Sequence, residues 1–341
     1  MATQTPSGLK MKKSNIDISI IIVNYKSWKP LRKCLQQLVA IQSTEFNFET
    51  IVVDNCSDDG QLALFKSDFI GVKFFENSGN NGFANACNFG AFRAKGAYFL
   101  FLNPDTLANA QALEALLQTA KQHPDYGIIS CQQCDEKGNL NNQNKLFFSP
   151  SRMFGLFRIV YKIAHQSYLN QRFNKSKSIV FPDWVSGSVV FISRSWFEKV
   201  KVWCEDYWMY YEDVDLCKKV SELGGKIALL KTVTIIHAHG GSTRINVKTK
   251  ALTKSEVLIS RHVFIHKHFN GITRFSLQFI TVFYQLLINS LMGLLGLLLW
   301  FRPKFKVHYY LSVNIFKYYF RLPFRWEWLS ERSVNYKKAL C

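Results

Sequence analysis

DISIIIVN, residues 17–24, is a run of β-branched side chains with no polar alternation. A strand of that kind buries both faces, which places it in a parallel sheet covered by helices on each side. Downstream, a helical pattern runs from Trp28 to about Ala40. ETIVVDN (49–55) and VKFFEN (72–77) then read as the second and third strands. FANACNFGAFRAK (83–95) is a helix of small residues, AYFLFLN (97–103) a fourth strand, and Asn109–Gln122 a further helix. Strands alternating with helices predict an α/β, doubly wound sheet. Ligands of such sheets bind at the carboxyl ends of strands, where the polar clusters 54–59, 77–82 and 103–106 all fall.

The middle of the chain, 132–180, is polar and basic and reads as a loop-rich insertion. DWVSGSVVFISR (183–194) predicts a strand and Trp196–Val200 a short helix. YEDVDLCKKVSELGG (211–225) predicts a helix closed by a glycine pair, and KIALLKTVTIIH (226–237) a strand. Beyond about residue 250 the character changes. Residues 275–301 carry no charged side chain and are flanked by Arg274 and Arg302. At ~1.5 Å per residue they are long enough to cross a bilayer, but Gln278, Gln285, Asn289 and Ser290 interrupt them. VHYYLSVNIFKYYFRLPFRW (307–326) mixes aromatic and basic residues, which suits a bilayer interface. A single crossing would put this basic tail outside, against the positive-inside tendency, so a monotopic or hairpin arrangement is expected. The chain thus divides into a disordered or tag-like start (1–14), a catalytic domain (15–250) and a helical, basic and aromatic membrane-association region (251–341).

With 43 basic and 24 acidic residues, the net charge of +19 calls for an anionic partner. Nucleic acid would need basic residues interleaved with aromatics on a binding surface. The excess instead follows the apolar C-terminal segment, which favours a membrane surface and phosphorylated substrates and argues against nucleic acid. Residues 1–15 lack an apolar stretch, so no secretory leader is expected. Cys131 and Cys134 have redox or half-zinc spacing, but no second pair follows. Ordinary reduced thiols are expected.

Four segments carry chemistry. In VVDNCSDDG (52–60), Asp54 ends a strand and can accept hydrogen bonds from a base or ribose, although the same residues also make a good turn. In LNPDT (102–106), Asp105 suits a hard divalent cation shared with phosphate oxygens, or the cap of the following helix. YEDVDL (211–216) places Glu212, Asp213 and Asp215 at a helix start, where ionised carboxylates are favoured and one of them can act as a general base. Tyr207, Trp208, Tyr210 and Tyr211 crowd these acids and suit a sugar, whose rings have apolar faces. In IIHAHGGST (235–243), His237 or His239 ends a strand before a Gly-rich turn, so an imidazole ligand and backbone N–H groups for phosphate are available. His262 and His266 lie among basic residues without nearby acids and are read as non-ligands.

In this order, SIIIVNY (19–25), VVDNCSDDG (52–60), NNGFANACNFG (80–90), FLNPDT (101–106), WVSGS (184–188), YWMYYEDVDLC (207–217) and HAHGGS (237–242) resemble the family 2 glycosyltransferases of GT-A fold, and among them the bacterial rhamnosyltransferase-like enzymes. The likeness covers roughly residues 16–268. It implies a doubly wound mixed sheet and an inverting transfer from a nucleotide-sugar, with Asp213 as base and Glu212 as second choice. It implies a divalent cation, Mg²⁺ or Mn²⁺, at Asp105 and His237, with Asn103 in place of the motif's first acid. Val23, Asn24, Tyr25, Asp54, Asn55, Asn81, Gly82, Asn88, Asn103, Trp184, Gly187, Ser242, Arg261 and Lys267 would contact the nucleotide-sugar. The implied donor is dTDP-rhamnose, with UDP-sugars of galactose, N-acetylglucosamine or galactofuranose as the alternative. The implied acceptor is a saccharide or a polyprenyl-diphosphate-linked glycan, in surface-polysaccharide assembly at the cytoplasmic face of a bacterial inner membrane. An inactive scaffold is the other alternative, and the presence of Asp105, Asp213 and His237 argues against it. The segment Val202-Trp203-Cys204-Glu205 departs from the Gly-Phe-Asp-Glu common in the family, which leaves the acceptor's identity open.

Overall fold

The computed structural model describes residues 16–141, 145–149, 155–174, 176–238, 246–324 and 327–339. Residues 1–14, His239 and Ser242 therefore lie outside the described residues. The core strands are β1 (Ile18–Asn24), β2 (Phe48–Asp54), β3 (Lys73–Glu76) and β4 (Tyr98–Leu102), followed by the short β5 (Thr106–Leu107), β6 (Tyr126–Cys134), β7 (Ile179–Val180), β8 (Val189–Ser193) and β9 (Lys226–His237). They form one sheet in the order β3-β2-β1-β4-β8-β6-β9-β5, with β7 also on β9. β1 to β4 pair in parallel, so their carboxyl ends share one edge. β4–β8 and β8–β6 are antiparallel and β6–β9 is parallel, so the sheet is mixed.

β1 is buried along its whole length because helices cover both faces. On one face α1 (Trp28–Val39) and α4 (Ala110–Gln122) set Leu31, Leu35, Leu113 and Leu117 against Ile20, Ile22 and Leu100. Each such aliphatic burial contributes about 1.5–3 kcal/mol. On the other face lies α3 (Phe83–Ala91), and its small residues now have a reason. A Cβ on Gly90 would stand 2.7 Å from Ile21 Cγ2 and 3.1 Å from Val53 Cγ2, so the helix backbone lies directly on the sheet.

The mixed sheet departs from the purely alternating reading in two places. Among the described residues of 132–180, the loop-rich segment also holds the end of β6, then α5 (Gly155–Ala164), α6 (Gln166–Arg172) and β7. β6, YGIISCQQC, is nearly all buried, but its small and polar side chains hide the β pattern. The strand expected over 183–194 shrinks to Val189–Ser193, because Asp183–Ser188 passes over the sheet edge as a loop. Cys131 and Cys134 are unbridged, and burial pushes the Cys131 thiol up to about 12, so it is inert.

The remaining elements are α7 (Arg194–Lys199), α8 (Glu212–Glu222), α9 (Val247–His268), α10 (Gly271–Leu298), α11 (Pro303–Arg321) and α12 (Val334–Ala339). α10 and α11 run antiparallel: Gly293 meets Ser312, and Tyr319 Oη donates to Gln285 Oε1 at 2.8 Å. Burial on α10 is inverted. Gln278, Thr281, Gln285 and Asn289 face inward, while Ile272, Phe275, Phe279, Phe283, Leu287 and Leu298 face out. The inward polar groups are satisfied in the bundle, for example by His262 Nδ1 with Gln278 Oε1 and Ser312 Oγ with the Asn289 carbonyl.

Glu256 on α9 is 3% exposed, and burial raises its carboxyl to about 7, partly offset by a hydrogen bond from Ser330 and the charge of Arg332. A raised carboxyl means the folded state keeps a proton that the unfolded chain releases from about 4.5 upward. This group therefore costs stability progressively as pH rises toward 7, and the cost persists above it. Glu256→Gln is expected to melt several degrees higher than the parent at pH 8 and within about one degree of it at pH 5. Equal differences at both pH values in a thermal melt would contradict this.

Candidate functional site

Strand ends build the site. At the end of β1, Asn24 Nδ2 donates to Asp54 Oδ1 at 2.9 Å, and Asn24 Oδ1 accepts from Ser27 N. Asp54 also takes Ser57 Oγ (2.6 Å) and Ser57 N (2.9 Å), and it is 1% exposed. Asp54 thus shapes the β1–β2 edge, with Val23 buried beneath it and Tyr25 half-exposed beside it. Asn55 continues the edge into the next loop: it donates to Asn80 Oδ1 and the Gly82 carbonyl and accepts from Asn77. Asn81 is half-buried on the rim.

This loop is fastened to a second one. Phe83 N donates to the Trp208 carbonyl at 3.1 Å, and Trp208 Nε1 donates to the Asn80 carbonyl at 3.1 Å. Gly82 has φ +92°, and a Cβ there would stand 2.3 Å from the Trp208 oxygen, so both its conformation and its space require glycine. The second loop, 203–211, leads straight into α8. Tyr210 and Tyr211 hold φ of 71° and 69°, a left-handed pair that side chains with a Cβ adopt only under tertiary constraint.

α8 opens with the acids. Asp213 Oδ2 accepts from Gly187 N at 2.9 Å, and Oδ1 accepts from Val214 N at 2.8 Å. Burial raises the Asp213 carboxyl, and these two N–H groups hold back the rise. Glu212 is 7% exposed; burial, then the charge of Asp213, pushes its carboxyl well up, and Oε2 has no hydrogen-bond partner. Of the two, Asp213 has both carboxylate oxygens held by hydrogen bonds, whereas Glu212 does not. Asp215 is fully buried; the His268 hydrogen bond and Lys219 override the effect of burial and hold its carboxyl low, a structural lock between α8 and α9.

Asp105 and His237 meet because β5 pairs with the end of β9, Thr106 opposite His237. Asp105 Oδ1 lies 3.2 Å from His237 Nε2. His237 Nδ1 meets Gln133 Oε1 at 2.9 Å, and that oxygen already accepts from Ser188 Oγ. In the tautomer that donates Nδ1–H to Gln133, Nε2 faces the carboxylate with its lone pair. Two acceptors that close are reconciled by a proton or a cation between them. Among the described residues no cluster of three or more His, Cys, Asp or Glu ligands exists, so any cation here would draw its other oxygens from substrate and water. Asn103 borders this pair, with its N donating to the Ser188 carbonyl.

Two of the expected contact residues have protein partners in this structure. Asn88 is 2% exposed: it donates to the Trp203 carbonyl and Glu205 Oε1 and accepts from Trp203 N. It clamps α3 to the 203–211 loop. Lys267 is paired with Asp206. Arg261 sits at the loop, with Nε 3.4 Å from Tyr211 Oη. Trp184 donates Nε1 to the Leu146 carbonyl, and Lys145 lies over its ring at 5.3 Å. Lys145 also lowers the Asp213 carboxyl through its charge, so it belongs to the site. It had no signal in the sequence, standing alone in a polar segment; the same holds for Gln133.

A family model described as glycosyl transferase family 2 matches residues 19–216. The chain is similar to the low-salt glycan biosynthesis hexosyltransferase Agl10 of Haloferax volcanii, 28% identical over 225 residues, which are 65% of this chain and 67% of that protein. It is also similar to an N-acetylglucosaminyl-diphospho-decaprenol L-rhamnosyltransferase of Mycobacterium tuberculosis, 24% identical over 243 residues, 66% of this chain and 77% of that one. Among solved structures, GalNAc-T7 with UDP, GalNAc and Mn²⁺ superposes with a TM-score of 0.52 at 15% identity, over 73% of this chain and 48% of that chain. This chain thus spans about half of that structure, and the likeness speaks to fold alone.

Gly82→Ala is expected to force apart the two loops that meet at Trp208. At about 1–3 kcal/mol for a strained contact of this kind, the melting temperature should fall by roughly 3–10 °C. An unchanged melt would contradict the close approach.

Proposed function

Because this chain belongs to glycosyl transferase family 2, we propose that it is an inverting, metal-dependent enzyme that moves L-rhamnose from dTDP-rhamnose to a saccharide or polyprenyl-diphosphate-linked acceptor. The chain is a hexosyltransferase of GT-A fold. The donor and acceptor follow the names of similar proteins, including the mycobacterial rhamnosyltransferase. The observation that carries the chemistry is the oriented Asp213, fixed by Gly187 N–H at the start of α8.

In this reading the acceptor hydroxyl loses its proton to Asp213 as its oxygen attacks the anomeric carbon. The bond from that carbon to the diphosphate oxygen breaks, and the nucleoside diphosphate leaves with the electron pair. A raised carboxyl is a better match for a hydroxyl proton than an ordinary aspartate; burial raises it, and the Gly187 and Val214 N–H groups and the charge of Lys145 hold back the rise. Glu212, whose carboxyl burial pushes well up and whose Oε2 has no hydrogen-bond partner, is the less suited of the two acids to accept the proton. Asp105 and His237 fit a Mg²⁺ or Mn²⁺ ion, which when bound would offset charge on the departing diphosphate. Gln133 keeps His237 in the tautomer that such an ion needs.

The same proposal places the enzyme on a membrane surface, at the cytoplasmic face in a bacterial cell. Outward Phe and Leu with inward Gln, Thr and Asn is the arrangement expected of a helix facing hydrocarbon rather than water. α10 is long enough to span, and its most apolar 18-residue stretch has a mean hydropathy of 1.7. Its partner α11, however, runs back beside it carrying Lys304, Lys306, Lys317 and Arg321, and residues beyond α11 bond to the catalytic domain. A spanning α10 would drag those charges through the bilayer. The helix is therefore read as lying in the plane of one leaflet, with Arg274 and Arg302 at its ends toward anionic headgroups.

Asp213→Asn is expected to lower kcat on the order of 10²–10⁴-fold while dTDP and UDP binding in the presence of Mn²⁺ stays within twofold. Turnover within a few-fold of the parent, across a panel of dTDP-, UDP- and GDP-sugars, would remove Asp213 as base. A Leu287→Lys, Leu291→Lys variant alters two exposed positions of α10. It should float with anionic vesicles at a bound fraction at least about tenfold below the parent. Equal flotation would contradict the docking face.

A further inference from the structure

After α11 the chain does not trail away from the molecule. A short helical turn, Leu322–Phe324, ends the bundle, and residues 327–339 return to the catalytic domain as a strap. On the bundle side it is anchored at four points. Trp328 stacks on His262 with ring centroids 4.6 Å apart, and its carbonyl accepts from Tyr318 Oη at 2.8 Å. Arg321 pairs with Glu331 at 2.8 Å, and Ser330, 2% exposed, hydrogen-bonds Glu256.

On the catalytic side the strap touches both loops of the site. Asn335 Nδ2 donates to Asp206 Oδ1 at 2.6 Å, Arg332 lies over the Trp208 ring at 5.3 Å, and Lys337 Nζ donates to Asn81 Oδ1 at 3.1 Å. Burial alone would raise Asp206; the Asn335 hydrogen bond and Lys267 override it and keep the carboxylate ionised. The loop that holds Asp206 and Trp208 ends in the left-handed pair Tyr210–Tyr211, which only Glu212 separates from Asp213. Backbone of that kind persists only when its surroundings over-determine it. α9 supplies part of that constraint, with Ser260 Oγ donating to the Met209 carbonyl at 3.0 Å. The strap grips the same loop from its other end.

We propose that Arg332 and Asn335 are positioning residues that hold the 203–211 loop, and through it the start of α8, in the arrangement that presents Asp213 to the acceptor. They lie more than a hundred residues beyond the part of the chain that matches the family model. The proposal rests on the glycosyltransferase reading for its kinetic consequence but not for its structural one. Because the strap is also bonded to the bundle that carries the outward apolar face of α10, the geometry of the site and the seating of the helices share one connection.

The test uses the full chain with Arg332→Ala, Asn335→Ala, the double variant and the conservative Arg332→Lys. Arg332 is exposed and Asn335 half-exposed, so the substitutions open no core cavity. Hydrogen–deuterium exchange should show faster uptake in peptides covering 203–216 of the double variant, with β1 and β4 unchanged. Acceptor-dependent kcat should fall on the order of tenfold, with binding of dTDP and Mn²⁺ within twofold, the melting temperature within about two degrees, and Arg332→Lys close to the parent. Unchanged exchange in 203–216 would overturn the proposal whether or not a donor has been found. A melting temperature that falls in step with kcat would also overturn it, by making the strap merely structural. A parent enzyme inactive on every donor, with exchange altered as expected, would count against the transfer reading and leave the strap's role standing.

Discussion

Two residues of a very short strand, Thr106 and Leu107, pair with the end of β9, and that register brings His237 against Asp105. Much of the site depends on this pairing. The parallel half of the sheet delivers Asn24, Asp54 and Asp105 to one edge, and the mixed half delivers Gln133 and His237 to the same edge from the other side. Ser188, whose carbonyl holds Asn103 and whose hydroxyl holds Gln133, stitches the two halves at the point where they meet. One residue further back, Gly187 N–H orients Asp213. The acid proposed as base and the pair proposed for the cation are thus tied to neighbouring residues of one loop.

A second constraint is the contact between the 77–82 and 203–211 loops. Phe83 N and Trp208 make that contact directly, and buried asparagines brace the loops around it, because an amide can donate and accept at once. Asn55, Asn77 and Asn88 are each buried and each spent on two or more partners. Their abundance near one edge reflects the locking of loops as much as the recognition of a ligand. The clamp that Asn88 makes between α3 and the 203–211 loop is one instance.

The parallel half of the fold was legible because β-branched runs and strand-end clusters are local signals. β1, β2 and β4 stand where DISIIIVN, ETIVVDN and AYFLFLN put them, within a residue or two. β6 was not legible: its SCQQC stretch carries small and polar side chains that are buried only because β8 and β9 flank it. The pairing of Asp105 with His237 was read from family likeness, and no local pattern in the chain announces it. Gln133 and Lys145 were invisible for the same reason, since both join the site through contacts distant in sequence. In the C-terminal region the apolar stretch was evident. Of its polar interruptions, Gln278, Gln285 and Asn289 form the inward face, satisfied by His262, Tyr319 and Ser312, while Ser290 is exposed.

The most direct measurement of the central claim is anomalous scattering from crystals grown with Mn²⁺ and either dTDP or UDP. A manganese peak is expected between Asp105 Oδ1 and His237 Nε2, within about 2.0–2.3 Å of each and completed by diphosphate oxygens. Nucleotide bound at the strand ends with no manganese at that pair, or with manganese held by other residues, would contradict it.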